Sequence, residues 1–169
     1  MTKSLPVLTI FASMRILMVC LGNICRSPLA EGILKDKVHK AGLNWTVESA
    51  GTNRYHTGEP PHPLSQKVAL QNGIDISHQR ARSFVREDIQ QYDRIYALAG
   101  DVLEDIRSIA GVDFDATKVD LLLNEQFPNE NKEVPDPYYG AEPGYHEVFA
   151  MINEVCDRIL EKYSNPIIR

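Results

Sequence analysis

At 169 residues the chain is long enough for one domain with a sizeable core and too short for two of ordinary size. Hydrophobic residues at 43% and charged residues at 24% are globular values, which exclude a disordered or repeat-built chain, and no run approaches the ~20 apolar residues of a membrane span. A formal charge of −5 argues against non-specific binding to nucleic acid and against long-range attraction of an anionic substrate, so any anion must be held locally.

Leu5 to Ala12, behind Lys3, is an apolar segment with a trace of a secretion signal, but it is short and passes directly into the next strand. Residues 1–13 are therefore read as an N-terminal extension and residues 14–169 as the working domain. Three cysteines without a staple-like spacing indicate a reducing compartment, which points to the cytoplasm.

Ile16, Leu17, Met18 and Val19 run as a strand into Cys20, and a short loop then opens onto a helix whose start is marked by Ser27 and Pro28. A junction of this kind aims backbone N–H groups and the positive end of the helix dipole at one point, so it is an anion site, with phosphate the natural guest. Cys20 stands at its first position and Arg26 at its last, with Leu21, Gly22, Asn23, Ile24 and Cys25 between them. A thiol among N–H donors and a guanidinium is favoured as its thiolate, which makes Cys20 the candidate nucleophile. No Lys follows Gly22 where a nucleotide-binding loop requires one. Neither Cys25, Cys156 nor the scattered His39, His56, His62, His78 and His146 completes a zinc site, so no metal or other cofactor is expected.

The first helix is predicted from Pro28 to about Lys40, with Ser27 as N-cap, Leu29, Ile33, Leu34 and Val38 buried, and Gly42 just past its end. The Ser27 hydroxyl can also donate to the Cys20 sulfur. Trp45 to Ser49 reads as a second strand, followed by a Pro- and Gly-rich loop through Pro63 that carries Tyr55 and His56. A helix over Pro63–Asn72 stops at Gly73, and Arg80 and Arg82 read as solvated surface charges. Tyr92 to Leu98 is a third strand, a helix follows from about Gly100 to Ile109, and Val119 to Leu123 is a fourth strand. Strands alternating with helices give an α/β single domain with a parallel sheet and its site at the carboxyl ends of the strands. From Asn124 to Gly144 the chain carries Pro128, Pro135, Pro137, Gly140, Pro143 and Gly144, an exposed loop of a length that is usually functional. Tyr145 to Tyr163 is an amphipathic helix with Cys156 inside its apolar stripe, buried and unreactive.

VCLGNICRSPLAEG at 19–32, ESAGT at 48–52, GEPPHP at 58–63, SHQRAR at 77–82 and VPDPYYG at 134–140 resemble the low-molecular-weight protein tyrosine phosphatases, and the resemblance extends from Met14 to Tyr163. It implies a four-stranded parallel sheet flanked by helices on both faces, and metal-independent hydrolysis of tyrosine-phosphorylated proteins through a phosphocysteine. It assigns Cys20 as nucleophile, Arg26 as phosphate clamp and Asp136 as general acid. Asn23, Ser49 and His78 would form a hydrogen-bonded shell behind the loop, and Tyr55, Tyr138 and Tyr139 would line the substrate groove. The chemistry suits Asp136, since an aryl oxygen must be protonated as it leaves and the resulting carboxylate can then activate water. Two positions depart from the family pattern: Tyr55 stands where many members have Trp, and Ala97-Leu98-Ala99 replaces a segment that ends in an acid.

Arsenate reductases of similar fold share the loop but relay a disulfide to a further cysteine pair, where this chain has Arg82 and Ile89. Protein-arginine phosphatases are closer rivals. They carry a small polar residue at the position of Ile24, which here favours a flat ring over a guanidinium. A phosphoprotein-binding module without turnover would lack the nucleophile or the acid. Finally, Cys25 lies in the same loop as Cys20, and an oxidised nucleophile condenses with a nearby thiol, so redox control is expected.

Overall fold

The apolar run that ends in Cys20 becomes the central strand. In the computed structural model, which describes residues 9–11, 13–164 and 166–168, the elements in chain order are β1 (Thr9–Phe11), β2 (Met14–Cys20), α1 (Arg26–Lys40), β3 (Trp45–Gly51), α2 (Pro63–Gln71), α3 (Asp88–Gln91), β4 (Arg94–Ala97), α4 (Gly100–Ala110), β5 (Val119–Leu121), α5 (Glu142–Tyr163) and β6 (Pro166–Ile168), with 3-10 turns at Gly111–Asp113 and Leu122–Glu125. Four strands form one parallel sheet in the order β3-β2-β4-β5.

Ile16, Leu17, Met18 and Val19 are all 0% exposed, because alternate side chains of β2 enter two separate cores. Ile16 and Met18 pack with Leu29 and Ile33 of α1 and with Ile152 and Ile159 of α5. Leu17 and Val19 pack on the opposite face with Val102 and Ile106 of α4 and Ile89 of α3. Burial on both faces is why the strand is a continuous apolar run instead of an alternation, and each such side chain contributes about 1.5–3 kcal/mol. The chain leaves β2 for α1 on one face and leaves neighbouring β4 for α4 on the other. A crevice therefore opens at the carboxyl ends of these two strands, where the sheet's winding reverses.

Several boundaries differ from expectation. Helix α1 begins at Arg26 with Cys25 at its N-cap, and no side chain caps it, so Ser27 is not the cap. The third strand is trimmed to Arg94–Ala97, and the fourth stops at Leu121, where the chain turns to bury Leu122 and Leu123. Helix α5 starts three residues early, at Glu142. Pro143 fits its first turn because the N–H that proline lacks has no helical partner there. The N-terminal extension contributes β1, which pairs antiparallel with β6 from Thr9 beside Ile168 to Phe11 beside Pro166; residues 1–8 and 12 of that extension lie outside the described residues. Among the described residues no helix is long and apolar enough to cross a membrane.

Candidate active site

The loop after β2 is held from outside. Its carbonyls at Cys20, Leu21 and Ile24 accept the N–H groups of Thr52 (3.0 Å), Asn53 (2.9 Å) and His62 (2.8 Å), and Ser65 Oγ donates to the Cys25 carbonyl at 3.2 Å. Asn23 adopts φ +56°, a left-handed conformation that asparagine tolerates better than other side chains and that still needs support from its surroundings. Three hydrogen bonds supply it. Asn23 Nδ2 donates to Ser27 Oγ (2.8 Å) and to Ser49 Oγ (3.0 Å), and its Oδ1 accepts the backbone N–H of Arg82 at 3.0 Å. Ser49 Oγ in turn donates to Glu31 Oε1 at 2.9 Å.

Ser27 Oγ lies 3.0 Å from Cys20 Sγ, which explains why it does not cap α1: the hydroxyl is engaged by the sulfur and by Asn23. Gly51, beside Cys20 in the sheet, lies directly under the loop, and a Cβ there would come within 2.9 Å of the Leu21 carbonyl and 3.0 Å of the Asn23 nitrogen.

Asn23 and Ser49 thus come together as the resemblance implies, but His78 does not join them. Asp75 Oδ1 accepts the Ser77 N–H in a turn that sends Gln79 inward, with its Nε2 donating to the Pro28 carbonyl at 3.1 Å, and leaves His78 exposed beside Lys35, Asp36 and His39. The place expected of His78 is filled by the Glu31 carboxylate and the Arg82 amide. Glu31 was visible only as part of a matching stretch, and the Arg82 contribution is a backbone group with no side-chain signal.

Arg26, 4% exposed, donates from Nη1 to the Val134 carbonyl (3.1 Å), and its Nη2 lies 3.5 Å from Asp136 Oδ2. The Pro-rich loop therefore folds back over the β2 loop and brings its carboxylate to the guanidinium. Its root is fixed just past β4 and on α4: Val134 N–H donates to the Leu98 carbonyl (2.9 Å), and Glu133 Oε1 accepts the Gly100 N–H (2.8 Å). Asp136 Oδ1 accepts the N–H of Tyr138 at 3.1 Å, which orients the carboxylate.

Cys20, Ile24, Arg26 and Asp136 line one pocket of about 240 Å³ whose rim carries Tyr55, Tyr138 and Tyr139. Tyr55 and Tyr139 stand almost free at the mouth, 87% and 93% exposed, while the Tyr138 ring meets Tyr139 edge-on at 4.8 Å. Asn53 and His56 also line the pocket, and His56 Nδ1 lies 2.8 Å from Glu59 Oε2. Beneath the loop Cys25 is buried, its Sγ 3.8 Å from the Tyr145 hydroxyl, and burial pushes its thiol up to about 12. Among the described residues no group of His, Cys, Asp and Glu could hold a metal ion. A thiol, a hydroxyl at its sulfur, a guanidinium and a carboxylate facing one small pocket form a set suited to transfer of a phosphoryl group to sulfur and then to water.

The model of the family described as low molecular weight phosphotyrosine protein phosphatase matches residues 15–165. The chain is 35% identical over 147 residues to the low molecular weight protein-tyrosine-phosphatase YfkJ of Bacillus subtilis, covering 86% of this chain and 92% of that one. It is also 35% identical over 154 residues to the human low molecular weight phosphotyrosine protein phosphatase, covering 89% and 96%. The crystal structure of YfkJ superposes with a TM-score of 0.82, covering 89% of this chain and 94% of that one. A structure of the arginine phosphatase YwlE with a phosphorylated active-site serine superposes at 0.80 with 26% identity, covering 88% and 95%.

Proposed function

We infer that this chain, which belongs to the low molecular weight phosphotyrosine protein phosphatase family and is a protein-tyrosine phosphatase, works through Cys20, Arg26 and Asp136. The Cys20 sulfur attacks the phosphorus of a phosphotyrosine in a tyrosine-phosphorylated protein, the bond to the phenolic oxygen breaks, and Asp136 gives that oxygen its proton. Arg26 and the loop N–H groups of residues 21–26 hold the three remaining phosphoryl oxygens, and losing one such donor typically costs about 3–4 kcal/mol of transition-state stabilisation. Asp136, now a carboxylate, takes a proton from water, which attacks the phosphocysteine and releases inorganic phosphate. Ser27 Oγ, 3.0 Å from the sulfur, stabilises the departing thiolate. Cys20, Arg26 and Asp136 facing one pocket from two loops far apart in the chain is the observation that carries this reading.

The test is hydrolysis of a phosphotyrosyl peptide in EDTA: wild type turns over, whereas Cys20→Ser and Arg26→Ala lose at least ~10²-fold in kcat. Retained turnover by Cys20→Ser would exclude the thiol mechanism, and an inactive wild type that still binds the peptide would make the chain a phosphoprotein-binding module. Likeness to an arginine phosphatase supports a second reading. Ile24, 7% exposed in the pocket wall, gives apolar contact to a flat ring, and a higher kcat/KM for a phosphoarginyl than for a phosphotyrosyl peptide would reverse the assignment.

The finer features rest on the sequence as well as on the site. The working domain is 14–169 with residues 1–13 as an extension to it, and the enzyme acts in the cytoplasm on phosphoproteins, without nucleic acid or membrane as partner. Peroxide oxidises the Cys20 thiolate to a sulfenic acid, and the Cys25 thiol then displaces water from it to form a disulfide. Burial keeps Cys25 protonated and spares it from direct attack. Brief peroxide treatment is expected to inactivate the enzyme and dithiothreitol to restore it. Cys25→Ser is expected to stay active yet lose the recoverable fraction, and unchanged recovery in that variant would remove Cys25 from the scheme.

A further inference from the structure

We propose that His62 is a positioning residue of the phosphatase reaction, its imidazole setting the acid loop against the phosphate loop. The proposal rests on Asp136 being the general acid. His62 is the N-cap of α2, where its Nδ1 accepts the Leu64 N–H at 3.1 Å, while its backbone N–H donates to the Ile24 carbonyl of the phosphate loop at 2.8 Å. One face of its ring stacks on Tyr145, with centroids 5.2 Å apart and planes at 25°. Tyr145 is fully buried at the start of α5, its hydroxyl beside Cys25. The ring also meets that of Tyr138 edge-on at 6.0 Å and 75°, and Tyr138 donates its N–H to the Asp136 carboxylate at 3.1 Å. A single residue therefore joins four parts of the fold: its backbone N–H holds the phosphate loop, and its ring touches α2, α5 and the acid loop.

Helix caps are ordinarily small: Ser, Thr, Asn or Asp supplies the acceptor with less bulk. Accepting at Nδ1 commits His62 to the neutral tautomer with its proton on Nε2, and burial, which lowers the imidazole pKa, acts in the same direction. The cap fixes the ring in orientation. The fixed ring then meets the Tyr138 ring edge to face, and the Tyr138 backbone N–H in turn holds the Asp136 carboxylate. Capping alone would not need a ring, and filling space alone would not need Nδ1. The two functions can be separated by substitution.

His62→Asn keeps an acceptor for Leu64 and removes the ring, whereas His62→Phe keeps a ring and removes the acceptor. The readout is kcat/KM, which reports formation of the phosphocysteine, for phenyl phosphate, whose leaving group needs a proton, and for 2,4-dinitrophenyl phosphate, whose leaving group does not. Asp136→Asn gives the scale of a complete loss of the acid. His62→Asn is expected to keep its melting temperature and to lose about tenfold on phenyl phosphate, with less than about twofold on the dinitrophenyl ester. His62→Phe is expected to melt about 2–4 °C lower with the ratio between the two substrates close to wild type. An equal loss on both esters, no loss in His62→Asn, or a ratio in His62→Phe as altered as in His62→Asn would each reduce His62 to a helix cap. Should one variant fail to fold, the ratio in the other still decides. Failure of the underlying reading would show separately, as dinitrophenyl phosphatase activity that survives Cys20→Ser or a phenyl phosphate rate indifferent to Asp136→Asn.

Discussion

The Asn23 side chain and Gly51 shape the loop without touching the reaction. Gly51 is the sharper case, because the atoms a Cβ would meet at 2.9–3.0 Å are the Leu21 carbonyl oxygen, the Asn23 nitrogen and the Gly22 carbonyl carbon, all backbone. A flexible side chain could move aside; this backbone can do so only by displacing the ring of N–H donors. Gly51→Ala is expected to cost about 1–3 kcal/mol of stability as overpacking, and to lower kcat/KM on a phosphotyrosyl peptide by about 10²-fold, since an ångström of displacement is enough for that. Urea unfolding and steady-state kinetics check the two effects, and a variant with both unchanged would show that the loop yields. The sequence marks Gly51 only as one letter of a matching stretch. Its role depends on the register that sets it beside Cys20, and neighbouring strands leave no local signal of their register. Cys20 and Arg26 stand out by residue type at a strand-to-helix junction and Asp136 only through its matching stretch, and the fold brings all three to one pocket. Glu31 and the Arg82 amide do not stand out, because they act on Ser49 and Asn23 and never on substrate.

At the scale of elements, α4 shows how the acid loop is braced. Its N-cap is Ala99, which has no side chain to offer, and Glu133 Oε1 takes the Gly100 N–H from across the crevice. A carboxylate at a helix N-terminus satisfies an orphan donor and complements the macrodipole. The missing acid at 99 is thus supplied by the residue next to Val134, whose carbonyl holds Arg26. Glu133→Ala is expected to lower stability by about 0.5–2 kcal/mol, as loss of a cap does, and Glu133→Gln, which still presents an acceptor, is expected to recover most of it. Equal unfolding midpoints for wild type and Glu133→Ala would deny the cap. The cores of β2, α1 and α5 were legible because apolar spacing is a local signal strong enough to survive packing. Their ends were less so. Ser27 satisfies the local rule for an N-cap, but the Cys20 sulfur and Asn23 claim its hydroxyl from elsewhere in the chain. Pro143 and Gly144 look like loop although they sit in a helix's first turn, and the pairing of β1 with β6 joins opposite ends of the sequence. Helix α3, with four residues, is too short to show a period.

For the molecule as a whole, covering both faces of the sheet and the underside of the loop removes side chains from water, and the thiols of Cys156 and Cys25 are among them. Cys156 on α5 is 0% exposed and Cys25 under the loop is 4% exposed. Burial pushes each up to about 12 from an ordinary 9.0, and at Cys156 the attraction of Lys37 lowers it by less than burial raises it. In the unfolded chain both thiols release their protons near pH 9, whereas in the folded protein they keep them to about 12, so above pH 9 the native state binds more protons than the unfolded one. Stability must then fall as pH rises: the thiol contribution is complete below pH 9 and is lost progressively up to about pH 12, at about 1.4 kcal/mol per pH unit per thiol. Two pH units would remove about 3 kcal/mol per thiol from a total of the usual ~5–15 kcal/mol. Tyr96 and Tyr145, buried and shifted in the same direction from 10.0, extend the decline further into alkali. Cys156 is the thiol to test, because it lies away from the phosphate loop and its removal leaves the chemistry intact. Cys156→Ala, unfolded in urea under reducing conditions at intervals from pH 8 to 11, is expected to start lower than wild type because of the cavity it leaves, and to lose stability above pH 9 less steeply by about 1.4 kcal/mol per unit. The slope carries the argument, since a cavity shifts the curve without tilting it, and parallel curves for the two proteins would mean that Cys156 ionises inside the fold at no cost.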